Sequence, residues 1–345
     1  MMKAKRVVLL LVSVIFIGSL MAMDLKEFVE AAKQRDMEFL EAMDTYQQAK
    51  DDYDKAMVSA VTELDKINAE ITLLNSEKTY RNSVLKFYQN VLGTYYSLIS
   101  DLLDLRIQEN TLKIAEMDLD EQTQLYQKGL AVEEDLKEAS ITYRQAVLDK
   151  AAAEFTLEND LEELKWRTGI ELKSDQITFE ALVLPDIAEI EVSTDTYLKD
   201  NLDIKISELN LKRAKLNLDS LTSASQYEVN KAKRSLTSAE RSRESTIHSV
   251  SLTLQEQLFN LGDLYGRYLL AKESWDVQKS RFENAKAKYE KGLISEKELL
   301  SAENQLLSKA RAYFQSERSY LLALIEFLLN SGYDEPLKII LDSEG

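Results

Sequence analysis

Cysteine is absent from this 345-residue chain, histidine occurs once, proline twice and glycine nine times. Without cysteine there are no disulfides, no thiolate metal sites and no lipid attachment through an N-terminal cysteine. So few breakers over such a length point to long uninterrupted helices, and the missing Gly/Pro turn signals exclude a sandwich or propeller. His248, the single histidine, has no cluster at ligand spacing around it, so it reads as a surface or interface residue and no metal is expected. No Gly-rich phosphate loop or nucleophile motif occurs. The carboxylates fall beside Lys and Arg on polar helix faces, the pattern of a solvated surface. No catalytic residue or cofactor is expected, and the chain reads as a non-enzyme.

What is present begins with a segment unlike the rest. Residues 1–23 combine a basic start (MMKAKR), the apolar run VVLLLVSVIFIGSL and a small residue, Ala22, at a cleavage position, which is the pattern of a secretory signal. The run is short for a spanning helix, which needs about 20 residues; this favours cleavage over a retained anchor, although Leu20 is only a fair residue at its position. Loss of Lys3, Lys5 and Arg6 with the signal takes the formal charge from −17 to −20. So acidic a chain suits neither nucleic acid nor an anionic membrane surface. No later run of 18 apolar residues follows, so no further transmembrane helix is expected.

The exported part is written twice. At an offset of 163, residues 126–169 align without gaps on 289–332, with 11 of 44 positions identical. Leu98, Leu105, Leu112, Leu119 and Tyr126 recur every seventh residue, matched by Leu261, Tyr268, Trp275, Phe282 and Tyr289. Beyond the shared glycine, Leu136, Tyr143, Leu157 and Leu164 alternate with Ala139, Ala146 and Ala153; in the other copy Leu299, Leu306, Tyr313, Tyr320 and Phe327 alternate with Ala302, Ser316 and Ala323. Large residues on one row and small ones on the next let knobs enter holes at close spacing. The aromatic row from Tyr268 to Tyr289 therefore reads as packing.

Each copy reads as a leading helix, a rising arm of about 45 residues, a Gly-Leu turn and a return helix. Gly129 and Gly292 suit the left-handed position that ends a helix, with Lys128 and Lys291 at the negative end of its dipole. Leu130 and Leu293 follow at the two hairpin tips. Gly169 and Gly332 read as C-caps of the return helices. The expected organisation is a signal peptide over 1–23, a first helical repeat over 24–172, a linker over 173–195 containing Pro185, and a second repeat over 196–345. The fold class is all-α: duplicated long antiparallel helical hairpins, coiled-coil-like, with little or no β.

The two copies of Tyr-x-x-Gly-Leu-x-x-x-x-x-Leu-x-x-Ala (126–139 and 289–302), the leading Asn-x-x-Ile at Asn201 and the Thr-Gly and Ser-Gly stops resemble the TolC-type outer-membrane efflux factors over almost the whole mature chain. The resemblance implies a homotrimer whose helices form a tapering periplasmic tube. It puts the Gly-Leu turns at the tip nearest the inner membrane, where they dock a periplasmic adaptor that works with an inner-membrane transporter. Asp135 and Glu298 then occupy an acidic tip position in the two repeats, and Glu138 a second one in the first repeat only; as simple helix N-terminal charges they are explained equally well.

One departure stands out. The family carries two strands per half, trimerised into an outer-membrane barrel, at positions equivalent to roughly 55–85 and 220–250. A spanning strand needs about 9–11 alternating residues. Here Val61, Leu64, Ile67 and Ile71 keep helical spacing, and 220–250 is polar, with SVSLTL (249–254) its best strand candidate. Barrel strands are therefore not expected. Two functions follow: a conduit component of an efflux or type I secretion assembly, exported to the periplasm or associated with the outer membrane, or a periplasmic coiled-coil scaffold that does not transport.

Overall fold

A computed structural model describes residues 25–172, 181–190 and 194–342. The expected signal segment 1–23 lies outside the described residues, as do linker residues 173–180 and 191–193. Among the described residues there are helices and no strands. A short α1 (Leu25–Lys33) precedes the first repeat: α2 (Met37–Ser59), α3 (Glu63–Gln127) and α4 (Glu133–Thr168). A short α5 (Thr194–Asp200) precedes the second: α6 (Leu202–Asp219), α7 (Gln226–Glu290) and α8 (Glu296–Asn330), closed by α9 (Pro336–Asp342).

The arms are longer than the heptads predict. α3 and α7 each run 65 residues, about 98 Å at 1.5 Å per residue. They are equal because their ends are specified alike. Thr62 caps α3, its Oγ1 accepting from the Asp65 N–H at 3.1 Å while Asp65 Oδ2 accepts from the Thr62 N–H at 2.9 Å. Ser225 and Glu228, 163 residues later, make the same reciprocal box on α7. The segments that the resemblance assigns to strands are thus the second halves of two helical hairpins, α2–α3 and α6–α7, and SVSLTL lies inside α7.

Near the Gly-Leu turns the helices lie side by side in the order α4, α3, α8, α7; toward the other end the order is α2, α3, α6, α7. The core is a girdle midway along. Val84 to Ile99 of α3, Leu157 and Leu164 of α4, Leu254 to Tyr268 of α7 and Tyr313 to Leu329 of α8 meet there, covered by Leu25, Phe28, Val29 and Ala32 of α1. Each large side chain so buried contributes on the order of 2 kcal/mol. Of the heptad residues, Leu98, Leu261, Tyr268, Tyr313, Tyr320 and Phe327 are fully buried, whereas Tyr126 and Tyr289, near the turns, are exposed.

The visible part of the linker, 181–190, is strapped onto this girdle by polar groups. Leu182 N–H donates to Glu317 Oε2 at 3.0 Å, Tyr268 OH donates to the Leu182 carbonyl at 2.8 Å and Tyr320 OH to the Pro185 carbonyl at 2.7 Å. Glu317, 1% exposed, also accepts from Tyr96 OH (2.8 Å) and Tyr313 OH (2.6 Å). Burial pushes its carboxyl up to about 7 against the pull of these donors.

Candidate functional site

The two tips have the same backbone. Gly129 and Gly292 adopt φ of 71° and 70°. Leu130 N–H donates to the Leu125 carbonyl and Leu293 N–H to the Lys288 carbonyl, both at 2.9 Å; the glycine amides donate to Tyr126 and Tyr289 at 2.9 and 2.8 Å. This is the Schellman arrangement, in which the left-handed residue lets the chain turn back over the last carbonyls. A Cβ at either glycine would meet nothing within 4 Å, so backbone conformation, not crowding, selects glycine there. The turn leaves Leu130 and Leu293 projecting, 72% and 69% exposed.

The acidic residues are divided in role. Glu298 Oε2 accepts from the Ser295 N–H (2.8 Å) and Oγ (2.8 Å), and these bonds hold its carboxyl below the usual range. It is half of a capping box on α8. Asp135 makes the weaker equivalent, accepting from the Val132 N–H at 3.3 Å, because valine offers no oxygen in return. Glu138 is exposed on the next turn.

The tips differ in their fastening. At the start of α8, Glu296 pairs with Lys113 and Lys297 with Asp118, both residues of α3. Since Asp118 lies nine residues before the end of α3, the second tip stops about two turns short of the first, measured along α3. The first tip has only the local pair Glu133–Lys137 at 2.7 Å. Gly169 and Gly332 are far from both tips, at the girdle ends of α4 and α8, with φ of 75° and 93°; Arg35 lies against Gly169.

No known family model matches the chain, and no curated protein matches it. Its fold, however, recurs among solved structures. A CusC structure concerned with folding and transmembrane channel formation superposes with a TM-score of 0.58 at 14% identity, over 93% of this chain and 96% of that one. The CmeC outer membrane channel of Campylobacter jejuni gives 0.56 at 15% identity, over 89% and 85%. A membrane protein from Pseudomonas aeruginosa gives 0.55 at 13%, over 89% and 93%. With some nine-tenths of its length superposed on such proteins, this chain has the helical fold of the TolC-type outer-membrane channels.

Proposed function

We propose that the protein is a conduit component of an efflux or secretion assembly, exported and assembled as a homotrimer, which docks a periplasmic adaptor through Leu130 and Leu293. The observation that carries this reading is the duplicated tip: two identical turns present one exposed leucine each at the same end of a channel-type fold. Exposed apolar residues on rigid turns are suited to burial by a partner.

Assembly rests on the two edges. Phe259 of α7 is the counterpart of Tyr96 in the repeat; Tyr96 is buried under α8, whereas Phe259 is 81% exposed. On the other edge, Ile141, Leu148 and Phe155 form an exposed row on α4 at seven-residue spacing. One edge of a copy laid on the opposite edge of the next is a head-to-tail contact, which closes into a ring when the rotation allows. The all-helical α2–α3 and α6–α7 hairpins, standing where the TolC-type family carries its barrel strands, favour a second reading, a periplasmic spacer that keeps the ring and has lost transport.

The test is Leu130→Asp with Leu293→Asp in the native host. If the conduit reading holds, the double variant matches the deletion strain in sensitivity to exported toxic compounds, and a photo-crosslinker at exposed Val132 loses its adaptor adduct in that variant, while protein level and oligomer size are unchanged. A deletion strain as resistant as its parent overturns transport and leaves the spacer.

A further inference from the structure

Among the described residues six ion pairs join the two halves of the chain, and two of them, one toward each end, have complementary counterparts at the repeat offset. At the end away from the Gly-Leu turns, Lys78 of α3 pairs with Asp203 of α6 at 2.5 Å. The counterpart of Lys78, 163 residues on, is Arg241 of α7. The counterpart of Asp203 is Glu38 of α2, an offset of 165 fixed by the matching N-caps Asp36 and Asn201. A basic residue again faces an acidic one, but within one chain they stand on opposite edges, α7 and α2. Near the turns the same holds: Asp118 and Lys297, paired in the chain, correspond to Arg281 of α7 and Glu134 of α4. There the signs are exchanged and still complementary. Among the described residues no carboxylate lies within ion-pair distance of Arg241 or Arg281; Glu38 is held only by exposed Lys86 at 2.6 Å.

From this we infer that neighbouring copies meet along the full length of the rod, and that the strandless end is closed by α2 of one copy against the first third of α7 in the next, with Glu38 opposite Arg241. The occupant of this face is a second copy of the chain, and the inference rests on the ring proposed above while extending it to the segment where a barrel is missing. Charge agrees with it. α2 carries six carboxylates and two lysines, whereas residues 226–248 of α7 carry five cations and three carboxylates. Lys231, Lys233 and Arg234 add to the exposed basic face, and Glu41, Asp44, Asp51 and Asp54 to the acidic one. The Lys212–Glu63 pair (2.7 Å) maps onto Gln47 and Gln226, which can still hydrogen-bond. One pair maps adversely: Lys113 and Glu296 become Asp276 and Glu133, each of which has a lysine in its own chain, Lys279 at 3.9 Å and Lys137 at 2.7 Å. Two more, Arg106–Glu303 and Arg311–Asp104, map onto Leu269 with Ser140 and Leu148 with Arg267, so the charge match is confined to the two ends and the middle of this seam is apolar.

The absence of cysteine makes the test clean. Glu38→Cys with Arg241→Cys probes the strandless end, and Glu134→Cys with Arg281→Cys the turn end, each in the full chain treated with a short bismaleimide. The expected result is a ladder ending at a closed covalent ring from both double variants and from neither pair of single variants. If the turn-end pair links and Glu38/Arg241 stays unlinked, the ring stands and this inference falls. If neither links and the protein sediments as a monomer, the ring falls as well.

Discussion

α4 and α8, which the 163-residue offset brings into register, are 36 and 35 residues long and stand in opposite situations. α8 lies between α3 and α7 and buries Tyr313, Tyr320, Leu321, Leu324, Ile325 and Leu328 completely. α4 packs on α3, buries Ala146, Ala153, Leu157 and Leu164, and leaves Ile141, Leu148 and Phe155 in water. The equivalent arms repeat the contrast: Ile99 of α3 is buried, and its counterpart on α7 is Gly262, with nothing within 4 Å of its Cβ position. A duplicated sequence brings two-faced packing into both copies, but one chain can cover both faces of only one. The uncovered faces are where the molecule's remaining interactions belong.

The contrast can be broken most sharply with one substitution made twice. Leu324→Ala empties a fully buried site and should cost about 2–5 kcal/mol in urea unfolding. Leu161→Ala, at the equivalent half-buried site on α4, should cost roughly 1 kcal/mol or less. Equal losses would mean that α4 is as interior as α8.

The next effect belongs to Glu317, identical to Glu154 in the repeat but buried only in α8. Its carboxyl ionises near 4.5 in the unfolded chain and at about 7 in the folded one. The folded state therefore binds the extra proton between these values, and stability that is full below about 4.5 declines as pH rises through about 7. The decline attributable to Glu317 is on the order of 3 kcal/mol. Glu317→Gln should flatten that slope in a series of melts from pH 4.5 to 8; an unchanged slope would assign it to other groups, such as Asp101, whose carboxyl burial and Asp160 also raise to about 7.

The smallest effects separate two kinds of glycine by sign. Gly129→Ala places a side chain at φ 71° and should destabilise by about 1–2 kcal/mol. Gly262→Ala, within α7, should stabilise the isolated chain by about 1 kcal/mol through helix propensity. Calorimetry on both variants is sufficient, and the same sign for both would contradict the edge position of Gly262.

Much of this was legible in the sequence, and the reasons differ by region. The tips were readable because a left-handed turn leaves few options other than glycine, and its recurrence after 163 residues marks a repeat. The absence of strands among the described residues was readable from helical spacing at Leu64, Ile67 and Ile71; Val61, read with them, falls instead in the turn between α2 and α3, 91% exposed. The full length of α7 was harder to read, since its first third, which packs on α6, has only a narrow part-buried apolar row (Val229, Ala232, Leu236, Ala239) amid polar residues. The signal that marks its start is Ser225-x-x-Glu228, twin of Thr62-x-x-Asp65. α1 carries Leu25, Phe28, Val29 and Ala32 at helical spacing, yet nine residues are too few to stand out without the core they enter. The strap around Glu317 was not legible. Locally it differs from Glu154 by having Tyr313 four residues before it in place of Lys150, which reads as packing, and its other donors, Tyr96 of α3 and the Leu182 N–H, are far away in sequence.

The matched capping boxes at Thr62 and Ser225 have a further consequence. With both arms started and stopped at equivalent residues, the protein is a gauge whose reach is counted in residues. Removing one heptad from each of α3, α4, α7 and α8 on the turn side of the girdle would shorten it by about 10 Å and return every remaining side chain to its former bearing. The distance such a rod must bridge is thus recorded in the number of its heptads, and a series of shortened and lengthened variants would read it back.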